Sequence, residues 1–147
     1  GYTRRDYDQG NRNFRGLTTG FDTEWAVSGA VQMRASLGRS IEPDDDAVTG
    51  SYADTWSLNF SPTIQATGKI TVEPYLRLYD RRYKGDQLAA GQVERKDKIY
   101  MVGAEADYEF RRNMFLMASI SREQRDSNRA NLDYKANVFG LGLKVQF

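Results

Sequence analysis

The chain has 147 residues, 39% of them hydrophobic, at a mean hydropathy of -0.70. It is therefore one ordinary domain or a piece of one, and no run approaches the roughly 18 apolar residues of a helical membrane span. The 21 basic and 20 acidic side chains leave a net charge of +1, too little to draw in nucleic acid or an acidic partner. Cysteine and histidine are both absent, which excludes disulfides, thiolate and His-ligated metal sites and His-based triads.

Period-two alternation recurs along the chain and helical spacing does not, which predicts about eight strands. The first covers residues 2–8, with a polar stretch after it over 9–15. Residues 17–25 set Leu17, Thr19, Phe21, Thr23 and Trp25 against Gly20, Asp22 and Glu24, and 26–29 make a short turn. Residues 30–39 oppose Val31, Met33, Ala35 and Leu37 to Gln32, Arg34, Ser36 and Gly38, before a longer acidic loop at 40–50. Residues 51–62 carry Trp56, Leu58 and Phe60 against Ser57 and Asn59, with a turn at 65–68. The strand at 69–83 sets Ile70, Val72, Leu76 and Leu78 opposite Glu73, Tyr75, Arg77 and Tyr79. After the longest loop, 84–97, residues 98–110 oppose Tyr100, Val102, Ala104, Ala106, Tyr108 and Phe110 to Met101, Gly103, Glu105, Asp107 and Glu109. A tight turn at 111–113 precedes the strand at 114–125, and a polar loop at 126–133 precedes the last strand, 134–147. There Phe139, Leu141, Leu143, Val145 and Phe147 share one side, and Gly140, Gly142, Lys144 and Gln146 the other.

Long polar connections thus alternate with short tight ones. That asymmetry marks an all-β, antiparallel up-and-down barrel with elaborated loops at one end, and a transmembrane barrel strand needs only about 9 to 11 residues, every second one apolar. Aromatic residues fall in two bands that fit membrane girdles: Trp25, Phe60, Phe110 and Phe147 beside short turns or the terminus, and Tyr7, Tyr52, Tyr83 and Tyr134 beside long loops. If the apolar face meets lipid, the inward, lumen-lining rows hold Asp22, Glu24, Arg34, Glu73, Arg77, Glu105, Asp107, Glu109 and Lys144. Such charges need partners or water. They form a salt-bridged plug in a closed barrel of about eight strands, or line a wet passage in a larger one.

Alternation does not say which face is inside. A soluble lipocalin-like barrel binding a small lipophilic ligand shows the same pattern with the apolar rows inward. Arg4-Arg5-Asp6-Tyr7, Arg81-Arg82-Tyr83 and the Arg122 to Asp126 stretch recur where strands enter long loops. They read either as a rim for lipid phosphates or an anionic polymer, or as snorkelling charges and interfacial tyrosines. No catalytic, cofactor or metal site is expected. Gly140-Leu141-Gly142 lies inside an alternating strand rather than before a helix, and Asp44-Asp45-Asp46 lacks EF-hand spacing. Glu105 and Asp107 have the residue types of a glycosidase pair, but any row of inward acids looks the same.

The order Arg81-Arg82-Tyr83 with Gly85-Asp86, Arg125-Asp126-Ser127-Asn128, Asp133-Tyr134 with Asn137, and Leu143-Lys144-Val145-Gln146-Phe147 resembles the carboxy-terminal part of EpsL-like proteins. Thr67-Gly68-Lys69 and the segment 2–8 with Asn11-Arg12 and Phe14 are similar to the same family. These are outer-membrane β-barrel porins linked to exopolysaccharide biosynthesis in Gram-negative bacteria. The resemblance implies an exported protein and a larger barrel of which this chain is roughly the second half. It also implies outer-membrane lipid as surroundings, and polysaccharide and periplasmic export proteins as partners, with either passage of polar solutes or a non-conducting membrane anchor of a secretion complex as the role. The Gly-Tyr start, with neither initiator methionine nor secretory segment, fits a processed, engineered or partial form.

Overall fold

The computed structural model describes residues 1–5, 14–43, 52–84 and 93–146. Tyr7, Phe147, Asp44-Asp45-Asp46 and most of the expected loop at 84–97 lie outside the described residues. The strands are β1 (Tyr2–Arg5), β2 (Phe14–Leu17), β3 (Thr19–Ser28), β4 (Val31–Pro43), β5 (Tyr52–Thr67), β6 (Ile70–Lys84), β7 (Lys96–Arg111), β8 (Met114–Ser127) and β9 (Tyr134–Val145). β3 to β9 form a 7-stranded sheet in sequence order, every neighbour antiparallel, and β1 pairs with β2. Thr18 alone separates β2 from β3, and its backbone exchanges bonds of 2.8 and 2.7 Å with Gly1. β1 therefore runs beside the loop-side continuation of β3, and the chain traces the eight-pass zigzag that its periodicity predicts. The sheet is open, since the described residues contain no pairing of β9 with β1 or β3.

The short connections are Gly29-Ala30, Gly68-Lys69 and Arg112-Asn113, tighter than the expected turns. Each follows a register shift in the strand before it, at Ala26/Ser28, Gln65/Thr67 and Glu109/Arg111. A bulge adds twist where two strands reverse, which lets the ladder continue almost to the turn. Asn113 supplies the left-handed residue of its turn, at φ 62°. At the opposite end the strands outrun the alternation. β4 continues to Pro43 because Ile41, Glu42 and Pro43 pair with Asp54, Ala53 and Tyr52, shortening the expected acidic loop, and β7 and β8 begin and end two residues further out than the pattern predicts.

Register sorts the side chains into two faces. Phe139, Leu141 and Leu143 stand opposite Ile120, Ala118 and Leu116, and these in turn opposite Ala104, Ala106 and Tyr108. The same face continues through Leu76, Phe60 and Ala35. It is exposed: Phe139 is 74% accessible, Leu141 80% and Leu143 63%. A lipocalin-like barrel requires these rows inside a dry core, and in this open sheet they are uncovered. In water each such side chain forfeits about 1.5–3 kcal/mol of burial, so this face calls for an apolar solvent. On β7 it runs from Tyr100 to Phe110. That is roughly 33 Å of strand, or about 25 Å of height at a tilt near 40°, the size of a membrane barrel's apolar band.

Apart from Pro62 on β5, the buried residues gather at the long-loop end. They include Ala53, Thr55, Tyr83, Asp97 and Ile99 on the polar face, with Ile41 and Asp54 on the other.

Candidate functional site

The polar face carries all nine charged side chains expected to line a lumen, and register fixes which of them meet. On β3 and β4, Asp22 stands opposite Ser36, while Glu24 opposes Arg34 with 3.5 Å between their charged groups. On β6 and β7, Glu73 stands directly opposite Glu105 and accepts a 3.3 Å hydrogen bond from Thr63 Oγ1. Like charges directly opposed destabilise a sheet, so these two acids require water or a cation between them. Arg77 opposes Met101 and lays its guanidinium 4.5 Å from the Tyr75 ring centroid. Asp107 lies between Thr71 and Met117. Glu109 and Lys144 flank Phe115 in one row, the ammonium 5.9 Å from the ring centroid.

Asp22, Glu24 and Arg34 are therefore at one side of the sheet, and the other six near β6 to β9. Between them Asn59 donates to Ser36 at 3.0 Å and accepts from Tyr79 OH at 3.5 Å, a neutral bridge across β4, β5 and β6. Glu105 and Asp107 border an open groove of about 280 Å³ floored by Gly140 and Gly142, with Ser119 and Met117 beside them. A face so polar, open and weakly paired suits contact with water and polar solutes. Among the described residues no group of His, Cys, Asp or Glu is arranged to hold a metal ion.

The aromatic residues depart from the expected girdle. Trp25, 42% exposed, and Phe110, 41%, stand on the outward face beside short turns, and Tyr52 opens β5 opposite Lys84. Phe60 also faces outward, but with β5 reaching Thr67 it lies in mid-band rather than at an edge. Tyr83 and Tyr134 project from the polar face, because one step of parity separates each from its strand's apolar row. Tyr83 is buried under Arg95, whose guanidinium lies 4.2 Å from its ring centroid, and Tyr134 donates to Glu123. Two further outward aromatics toward the loop end are Trp56 and Tyr100. Sequence reasoning missed them as interface residues, although a signal was present: each is the last apolar residue of its own alternating row before Asp54 or Lys98.

A second feature unforeseen in the sequence locks the loop end. Asp97 is fully buried, and its Oδ2 accepts from Arg95 Nε and Nη2 at 3.0 and 2.8 Å and from Arg125 Nε at 3.1 Å. Burial pushes the Asp97 carboxyl up, but the hydrogen bonds from Arg95 and Arg125 outweigh it and hold the group below its ordinary value. Asn128 clips the next loop onto the same place, accepting from Lys96 N at 2.8 Å and donating to Glu94 O at 2.7 Å. On the outward side, Arg39 grips Asp54 bidentately with both bonds at 2.8 Å, and this hydrogen bonding lowers the Asp54 carboxyl against the opposing effect of burial. Both knots lie loopward of the apolar band.

One family, described as "Putative beta-barrel porin 2", matches the chain over residues 1–147. No curated protein and no solved structure matches it.

Proposed function

Since the chain belongs to this beta-barrel porin family, we propose that it is the carboxy-terminal portion of a bacterial outer-membrane barrel that passes or exports polysaccharide or other polar solutes, without catalysis. The observation that carries this is the division of one sheet into an exposed apolar face and an equally continuous charged face. Lipid is the solvent that suits the first, and a water-filled lumen the second. The open edges of β1, β3 and β9 fit a larger barrel whose remaining strands complete the pairing. Polysaccharide as cargo draws on the likeness to EpsL-like proteins, with periplasmic export proteins as partners.

Planar-bilayer recordings on the intact parent protein test the transport role. Stepwise conductance, with export of polymer lost when the protein is deleted, is the expected result. Absence of conductance with export unchanged would remove transport, and co-purification of periplasmic partners under those conditions would make it a membrane anchor.

A further inference from the structure

The outward face ends loopward in a groove of about 270 Å³. Leu37, Leu58 and Leu78 form its floor, aligned by register in one row across β4, β5 and β6. Trp56 and Tyr100 stand at its sides, 44% and 42% exposed, and Asp80 and Lys98 close its upper rim. A leucine floor between two half-exposed rings has the dimensions and chemistry of a slot for a hydrocarbon chain.

Above the floor the outward side chains become charged, and cations predominate. Arg39 and Lys84 share Asp54, and Arg82 binds Asp80. Lys96 and Lys98, both exposed, lie on the same face of β7, opposite Arg82 and Asp80, and neither forms an ion pair within 4 Å among the described residues. Asp126, across from Lys98 on β8, is already hydrogen-bonded by Gln124 at 2.9 Å. Two ammonium groups with no ion pair among the described residues therefore stand at the boundary between the band and the loops, Lys98 on the rim of the slot and Lys96 two residues beyond it.

We propose that this groove seats a phosphorylated lipid. One acyl chain lies along Leu37, Leu58 and Leu78 between Trp56 and Tyr100, and the headgroup phosphate rests on Lys98 and Lys96. Charge complementarity selects the occupant: a zwitterionic headgroup brings its own cation to the phosphate, whereas a phosphomonoester leaves its charge for the lysines. This inference rests on the membrane reading above, because only there does the outward face meet lipid.

The chain has 2 tryptophans, so Trp25→Phe, made in the intact parent protein with phenylalanine at any tryptophan outside this chain, leaves Trp56 as a single reporter beside the groove. That variant is inserted into dioleoyl phosphatidylcholine vesicles containing equal mole fractions of either brominated phosphatidic acid or brominated phosphatidylcholine. Stronger quenching by the phosphatidic acid is expected, corresponding to about a fivefold preference per engaged lysine, and it should fall to near parity in the Lys96→Gln/Lys98→Gln background. Equal quenching by both lipids overturns the seat and leaves the membrane reading standing. Quenching by neither overturns both. A preference that survives the double lysine substitution removes the lysines from the site, with quenching by brominated phosphatidylcholine showing that the variant has inserted. Inorganic phosphate competing as well as the lipid does would mean that the slot contributes nothing, and would also overturn the proposal.

Discussion

Gly103 and Tyr75 face each other across β6 and β7, and the tyrosine ring occupies the place a side chain at Gly103 would take. A Cβ there would lie 2.6 Å from the ring and 2.7 Å from Ile120 O, a clash with backbone that rotation of Tyr75 alone does not relieve. Gly103→Ala should therefore cost about 1–3 kcal/mol in urea titrations of the lipid-reconstituted protein, and shift the ring away from Arg77. Asp97 makes a different demand. Asp97→Asn removes the anion that holds Arg95 and Arg125 together at 17% and 19% side-chain exposure, and should cost roughly 3 kcal/mol, read as faster hydrogen exchange at the Lys96 and Asn128 amides. Its pH dependence follows from the lowered pKa. The stabilisation is fully present above the unfolded value near 3.9 and is lost as pH falls through the lower folded value. The loop end should accordingly loosen only in strong acid, and Asp97→Asn should abolish that transition in the same exchange measurement.

At the scale of a strand, β9 offers the cleanest separation of faces. Leu141, 80% exposed, belongs to the apolar row, and Val138, 58% exposed, to the row of Gly140 and Lys144. Both are open to solvent in the isolated chain, so soluble-protein reasoning assigns them similar tolerance. In a bilayer the two diverge. Leu141→Arg should lose about 2–4 kcal/mol of folding stability in phosphatidylcholine vesicles, and Val138→Arg close to none. The reverse ranking would mean that the charged face, not the apolar one, meets lipid. Tyr83 and Tyr134 teach the same parity at the strand tips: each sits beside a long loop, yet neither stands in an outward row.

Across the whole molecule the charge is distributed unevenly despite a net of +1. The polar face within the band is acidic on balance, with Glu73, Glu105, Asp107 and Glu109 clustered on β6 and β7 against Arg77 and Lys144, while the loop end gathers Arg81, Arg95 and Arg125 around Asp97. A passage walled by that face should favour cations. The reversal potential of the parent pore under a potassium chloride gradient is expected to have the cation-selective sign, and Glu73→Gln/Glu105→Gln should move it toward zero. An unchanged potential would mean that these two acids do not line the conducting path.

The alternation alone determined the all-β class, the antiparallel zigzag and the partition of each strand into faces, because a two-residue period acts locally and is written into every pair of neighbours. Phe139, Leu141 and Leu143 could be placed in one row without knowing what they touch. Their exposure could not, since the same period serves a dry core or a lipid surface, and what covers a row is decided by how the strands pair and close. Strand ends also escaped, because β4 is held to Pro43 by pairing with β5 rather than by its own composition. Within Glu94-Arg95-Lys96-Asp97-Lys98 every residue looks like a solvated loop charge, and the burial of Asp97 depends on Arg125, 28 positions away. Local periodicity specifies which way a side chain points, but what it meets there is set by strands distant in sequence, and so belongs to the tertiary structure.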